Sequence, residues 1–224
     1  FLTLPPGVQA DVTISVSPSL LEIELDPGAR LTQAVTVKNR GSDAAYVTVG
    51  VVPYARDRQD IEAVEWFEVE PTEFDLDPGV SQEVTVSVAA PGDAKPGGHF
   101  ATVAFRTSAR PSASAAQRFT GGTGVGATIG CVFLLTVRGA DLKLEGQLTK
   151  VGPVSAGPGR LGARVEITNT GNVHMFPEGQ VELRDLDGNV IGIFELPETT
   201  AILPGETQSL YLQGVQDVQD GDYR

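Results

Sequence analysis

The stretch Leu21-Glu22-Ile23-Glu24-Leu25-Asp26-Pro27-Gly28, continued by Ala34-Val35-Thr36-Val37-Lys38-Asn39-Arg40-Gly41, decides the fold. Apolar and polar residues alternate on both sides of a Pro-Gly pair. Period-two alternation puts one set of side chains on a buried face and the other in water, the mark of a half-buried strand. Pro presets the turn and Gly closes it. The unit recurs. Asp75-Leu76-Asp77-Pro78-Gly79 runs into Glu83-Val84-Thr85-Val86, and Ile202-Leu203-Pro204-Gly205 into Ser209-Leu210-Tyr211-Leu212. A second recurrence sets Val37-Lys38-Asn39-Arg40-Gly41 beside Ile167-Thr168-Asn169-Thr170-Gly171. In both, a strand ends in Asn-x-Gly, read here as a tight turn built on residues that tolerate positive φ.

Outward from there the pattern holds. Val12, Ile14 and Val16 alternate with Thr13, Ser15 and Ser17, and further turns are signalled at Arg40-Gly41, Pro91-Gly92 and Gly97-Gly98. No window gives an amphipathic helix of ten residues; Asp60 to Glu68 allows a short helical turn. Short strands between regular turns predict an all-β protein. A sandwich takes about 100 residues, so the 224 residues suit two tandem antiparallel immunoglobulin-like β-sandwiches. The expected division is 11–138 and 139–224, at Arg138-Gly139-Ala140, between an apolar strand (Ile129 to Val137) and a fresh alternating one (Asp141 to Leu148). The Ser, Ala and Gly-rich stretch 108–124 reads as a long mobile hairpin loop in the first sandwich; a boundary near Ser112 is the alternative.

Residues 1–10 read as a signal-peptide remnant, with Val8-Gln9-Ala10 as a small-x-small site, or as an N-terminal arm, free or paired with a neighbouring subunit. Asp220-Gly221 signals a turn and Tyr223-Arg224 the start of another strand, so the second sandwich is expected to lack its last strand, through truncation or because a partner supplies it.

Lys+Arg 16 against Asp+Glu 29 give a net charge of −13, which phosphate backbones and anionic membranes repel. One Cys and two His leave no disulfide framework and no Cys/His zinc site. No apolar run is long enough to span a membrane.

The opening Ser17-Pro18-Ser19-Leu20-Leu21-Glu22-Ile23-Glu24-Leu25, with Pro27-Gly28 and the Asn39-Arg40-Gly41-Ser42 strand end, resembles immunoglobulin-like surface domains and, distantly, the N-domains of pilus-assembly chaperones. Trp66-Phe67, Pro71, Phe74 to Gly79, Pro91-Gly92-Asp93-Ala94, Gly97-Gly98-His99-Phe100, Gly124 to Gly139 and Asn169 to His174 together resemble the paired ectodomains of Gram-positive WxL-interacting cell-surface proteins. That resemblance covers about residues 11–224. It implies peptidoglycan binding by the first domain, partner binding by the second, and flanking export and anchor segments. The basic residues with which the chaperone family anchors a subunit's C-terminal carboxylate are not evident here.

Candidate chemistry is sparse. Nine acids lie between Asp57 and Asp77 against one base, Arg58. Asp57, Asp60 and Glu62 are the candidate calcium ligands, since hard cations take clustered oxygens; their spacing matches no loop motif, and otherwise no metal or cofactor is expected. Trp66 and Phe67 are the candidate partner-binding residues, with a core plug as the alternative. Asp185-Leu186-Asp187-Gly188-Asn189 lacks the glycine position and final Glu of a calcium loop and reads as a hairpin turn. Asp217, Asp220 and Asp222 form a solvated acidic tip. His99 and His174 lack a nucleophile motif, Cys131 sits in an apolar strand, and Gly121 to Gly126 has no following Lys-Ser/Thr for a phosphate loop.

The sequence therefore predicts a non-enzymatic, exported bacterial cell-surface protein. It would bind a protein or cell-wall polymer through loops and strand edges, in adhesion or scaffolding. The alternatives are a filament subunit that self-assembles by strand donation and a periplasmic pilus-assembly chaperone.

Overall fold

The computed structural model describes residues 12–54, 61–108, 127–157, 160–197 and 201–216. It is an all-β protein in two compact units, Phe1–Lys95 with His99–Arg138, and Pro96–Gly98 with Gly139–Arg224.

In the first unit, β1 (Ile14–Ser17), β3 (Arg30–Asn39), β7 (Ser81–Ala89) and β5 (Phe67–Glu70) form one sheet, in the order β1-β3-β7-β5. The facing sheet is β2-β9-β8-β4-β6, from β2 (Leu20–Leu25), β9 (Thr128–Val137), β8 (Gly97–Ser108), β4 (Ala45–Pro53) and β6 (Glu73–Leu76). One helical turn, α1 (Ile61–Val64), precedes β5. Alternate residues of each strand fill the space between the sheets: Val35, Val37, Val84 and Val86 from one, Val47, Val103, Phe105, Phe133 and Leu135 from the other. Two strands change sheets at prolines, β1 to β2 at Pro18 and β5 to β6 at Pro71, both after cis peptide bonds. Proline has no N–H to give a ladder, so the strand is interrupted there. The first crossing has a consequence the alternation did not foretell: β2 runs parallel to β9, from Leu20↔Val132 to Leu25↔Val137.

The second unit packs β10 (Gly146–Gly157), β11 (Arg160–Asn169) and β14 (Thr207–Gln216), in that order, against the hairpin of β12 (Gln180–Arg184) and β13 (Val190–Glu195). Its core is Ala163, Val165, Ile167, Leu183, Phe194, Ile202, Leu210 and Leu212.

The repeats take on a physical meaning. Ala29 N donates to Asp26 O, Val80 N to Asp77 O and Glu206 N to Leu203 O, each at 2.9–3.1 Å. Gly28, Gly79 and Gly205 have φ of 79°, 75° and 71°. These are three type II turns, with Pro second and Gly third. The Asn-x-Gly reading needs correction. The glycines in the left-handed region include neither Gly41 nor Gly171. Instead the asparagine side chain is fully buried at each strand end. Asn39 Nδ2 donates to Asp43 O (2.8 Å) and Leu76 O (2.9 Å), and its Oδ1 accepts from Gly41 N (2.9 Å). Asn169 repeats this with Val173 O (2.7 Å), Ile202 O (2.8 Å) and Gly171 N (2.9 Å). The main chain of each closes on the following turn: Gly79 N donates to Asn39 O, and Gly205 N to Asn169 O.

β10 departs from the expected alternation. The strand starts at Gly146, not Asp141, and every residue from 141 to 151 is exposed. Its partner β11 alternates normally.

Replacing Asn39 or Asn169 by Ala strands two buried carbonyls at about 1–3 kcal/mol for each unsatisfied group. Each variant is expected to lose roughly 2–4 kcal/mol in urea unfolding. Asp at either site should keep only the bond from Gly41 N or Gly171 N, because a carboxylate accepts but cannot donate to the two carbonyls.

Candidate functional site

The region best placed to meet a partner is the start of β9. Val132 N donates to Ser19 O, so β2 covers β9 from that residue onward. By period two, Gly130 and Thr128 turn their main-chain groups to the same side. Among the described residues no strand pairs with them there. The stretch is nonetheless held in place from the β8 side. Thr107 N donates to Ala127 O (2.9 Å), and Ala127 N donates to Thr107 Oγ1 (2.9 Å). A Cβ on Gly130 would lie 2.4 Å from Thr102 Cγ2, so glycine is what lets β8 approach. Ile129 packs on the core and Cys131 lies within it. The result is an uncharged strand edge over Thr128 to Cys131, with the main-chain groups of Thr128 and Gly130 turned outward, backed by an apolar core.

Burial pushes the Cys131 thiol up to about 11, so it is protonated and unreactive at neutral pH. At the far end of β9, exposed Arg138 pairs with Glu24 (3.1 Å) and Asp26 (3.8 Å), tying β2 to β9 with a strength of about 0–1 kcal/mol.

Of the described residues singled out in the sequence, Cys131 lies on this strand and the others lie elsewhere. Trp66 and Phe67 are buried, 7% and 8% exposed. Phe67 meets Phe133 edge-on (5.2 Å), and Trp66 lies against the His99 ring (4.5 Å). Neither offers a free ring face to a sugar. His99 Nε2 is also within 2.9 Å of Lys95 O, at the start of β8. Asp57, Asp60, the stretch 108–124 read as a hairpin loop (apart from Ser108, which ends β8), Gly121 to Gly126, residues 1–10 and Asp217, Asp220 and Asp222 lie outside the described residues; the Glu62 side chain does as well. Three other acids of the run, Glu68, Glu70 and Glu73, line an open groove of about 490 Å³ with Thr72, Thr85 and Ser87. The Tyr46 hydroxyl donates to Glu73. Among the described residues no three His, Cys, Asp or Glu side chains gather to hold a metal, and no helix is long and apolar enough to cross a membrane.

In the second unit, Asp185 to Asn189 is a hairpin turn. Gly188 N donates to Asp185 O (3.1 Å), and Gly188 has φ 89°, a type I turn closed by a left-handed glycine. Both oxygens of Asp185 accept from Asn189, Oδ1 from its main-chain N (2.8 Å) and Oδ2 from Nδ2 (2.9 Å). The Asn189 side-chain bond, then its main-chain bond, hold the Asp185 carboxyl below the usual aspartate range.

No family model matches the chain, and no curated protein matches it, so membership of the WxL-interacting group finds no support. Similar solved structures exist. The YadV chaperone is 13% identical, covering 92% of this chain and 87% of its own, with a TM-score of 0.49. The Escherichia coli chaperone DraB is 16% identical, over 95% and 89%, at 0.43. The CsuC–CsuE chaperone–tip adhesion subunit pre-assembly complex of Acinetobacter baumannii is 13% identical, over 88% and 89%, at 0.45.

Cys131 should resist a thiol reagent in the folded protein at pH 8 and react fully in denaturant; equal rates would contradict its burial. A carboxyl held below its unfolded pKa stabilises at neutral pH and loses that contribution as pH falls through the folded value. Asp185→Ala should therefore loosen the β12–β13 hairpin at pH 7 and make a smaller difference at pH 2, where the neutral carboxyl accepts more weakly, measured by amide exchange at Asn189.

Proposed function

We propose that this protein is a non-enzymatic assembly protein working outside the cytoplasm, which holds an extended segment of a surface-filament subunit against the start of β9. The observation that carries the reading is the main-chain edge at Thr128 and Gly130, which no strand covers among the described residues. Unpaired N–H and C=O groups in a row are a template for another strand, and proteins cover such rows unless they use them. The edge is preformed, because Thr107 and Gly130 fix it before any partner arrives. A partner strand therefore bears most of the ordering cost.

The chaperone reading assigns this edge a client that stays extended until handed on. Of the solved structures above, one is described as a chaperone with a tip adhesion subunit. At that TM-score the likeness carries no weight, and the edge stands without it. A cell-surface scaffold would use the same edge to hold its partner permanently.

A photo-crosslinking residue placed at Thr128 should capture one exported polypeptide in the native host, with the crosslink in an extended segment of that protein. The same residue at Ser87, on β7 in the opposite sheet, should capture none. Thr128→Pro, which removes an outward N–H, should weaken binding of that polypeptide at least tenfold with the melting temperature unchanged. Equal capture at both positions, or a Thr128→Pro protein that binds normally, overturns the reading. Ordered fibres of the protein alone in negative-stain electron microscopy would support the filament alternative instead.

A further inference from the structure

Arg106 stands beside the start of β9 without a counter-ion. Thr107 N donates to Ala127 O, and Ala127 N to Thr107 Oγ1, so these two residues face each other across β8 and β9. Arg106 and Thr128 are then the next opposed pair, the close kind without ladder bonds, and share the outward face of the sheet. On its other side Arg106 lies opposite Thr48, and Thr48 opposite Glu73. One row therefore crosses the sheet: Glu73, Thr48, Arg106, Thr128, and then the position that β2 does not reach. β2 stops short because the chain before Leu20 crosses to the facing sheet, where Ser17 pairs with Thr36. Arg106 is exposed, and among the described residues it makes no hydrogen bond and no ion pair. Glu73, the acid of its own row, takes the Tyr46 hydroxyl instead.

The far end of β9 shows how this sheet satisfies such a cation. There β2 stands beside β9, and exposed Arg138 meets Glu24 (3.1 Å) and Asp26 (3.8 Å). The neighbouring strand brings the acid. At the start of β9 the neighbouring strand is the partner's, and the cation sits one strand further in. Two strand spacings make about 10 Å. Thr128 between them is short, and the long arginine stem extends over it toward a facing carboxylate. With the proposed function as its basis, we infer that Arg106 selects what this edge holds: an extended segment of another protein with a glutamate or aspartate side chain opposite Thr128. The residues on either side of that acid face the sandwich core, as Ile129 does, and are apolar. A chain of net charge −13 exerts no general attraction on an acid, so a preference for one isolates the contribution of Arg106.

The probes are three nine-residue peptides that alternate serine with valine, the central serine replaced by glutamate, glutamine or lysine. Blocked termini leave that side chain as the one charge. Each is titrated against the intact protein, with affinity read by calorimetry and amide exchange at Thr128 and Gly130. The glutamate peptide should slow both amides and bind about fivefold more tightly than the glutamine peptide, the step an exposed ion pair supplies. The lysine peptide should bind most weakly, although general attraction to an acidic chain would make it the strongest. Arg106→Gln, at an exposed position, should level the glutamate and glutamine peptides. Arg106→Glu should favour lysine, and neither variant should change the melting temperature. Both amides slowed with equal affinity for all three peptides, or with lysine preferred, would overturn selection by Arg106 and leave the edge on β9 standing. A glutamate preference that survives Arg106→Gln would do the same. Amides unchanged by every peptide would overturn the edge on β9 and this inference with it.

Discussion

The buried asparagine at the end of β3, and its counterpart on β11, is the constraint on which the rest depends. A strand leaving a sandwich at its end has carbonyls that water no longer reaches. Asn39 supplies donors to two of them and takes one N–H, so three chain segments are pinned by one side chain. Leu76 belongs to the sheet opposite β3, so the bond also joins the two sheets at one corner. Gly79 then closes on the main chain of the same residue, and β7 begins two residues later. Register follows: Lys38 opposes Ser81 and Val37 opposes Gln82. A slip of one residue would turn Val84, Val86 and Val88 outward. Asn169, Gly205 and the Thr168↔Thr207 pairing repeat the device in the second unit.

Much of this was legible in the sequence, because it is written in local chemistry. Period-two alternation marks Ala34 to Lys38 and Glu83 to Val88 as strands whatever they pair with, and a Pro-Gly pair allows few turns. The hairpin at Asp187-Gly188 follows from the same logic. The role of Asn39 was not legible. Its position after an alternating strand fits a turn as well as a buried clamp, and the difference lies in carbonyls four and thirty-seven residues away. The parallel pairing of β2 with β9 was hidden for a similar reason, since it depends on a strand changing sheets at Pro18. The acidic run drew attention because charge is visible in a sequence. An unpaired edge is not, because Thr128-Ile129-Gly130-Cys131 reads the same whether or not a neighbour stands beside it.

The acids of the first unit gather on three of its four marginal strands. β2 presents Glu22 and Glu24, β5 presents Glu68 and Glu70, and β6 presents Glu73 and Asp75, all exposed and all on strands at the margins of the first unit's sheets. Strands edged with like charges do not pair with their own copies, because bringing them side by side sets carboxylate against carboxylate. The acids therefore guard these three margins, while β1 (Ile14–Ser17), the fourth, carries none. Thr128 to Cys131 carries no charge. Under the proposed function, the neutrality of Thr128 to Cys131 is what lets a partner strand come beside an acidic chain at that point.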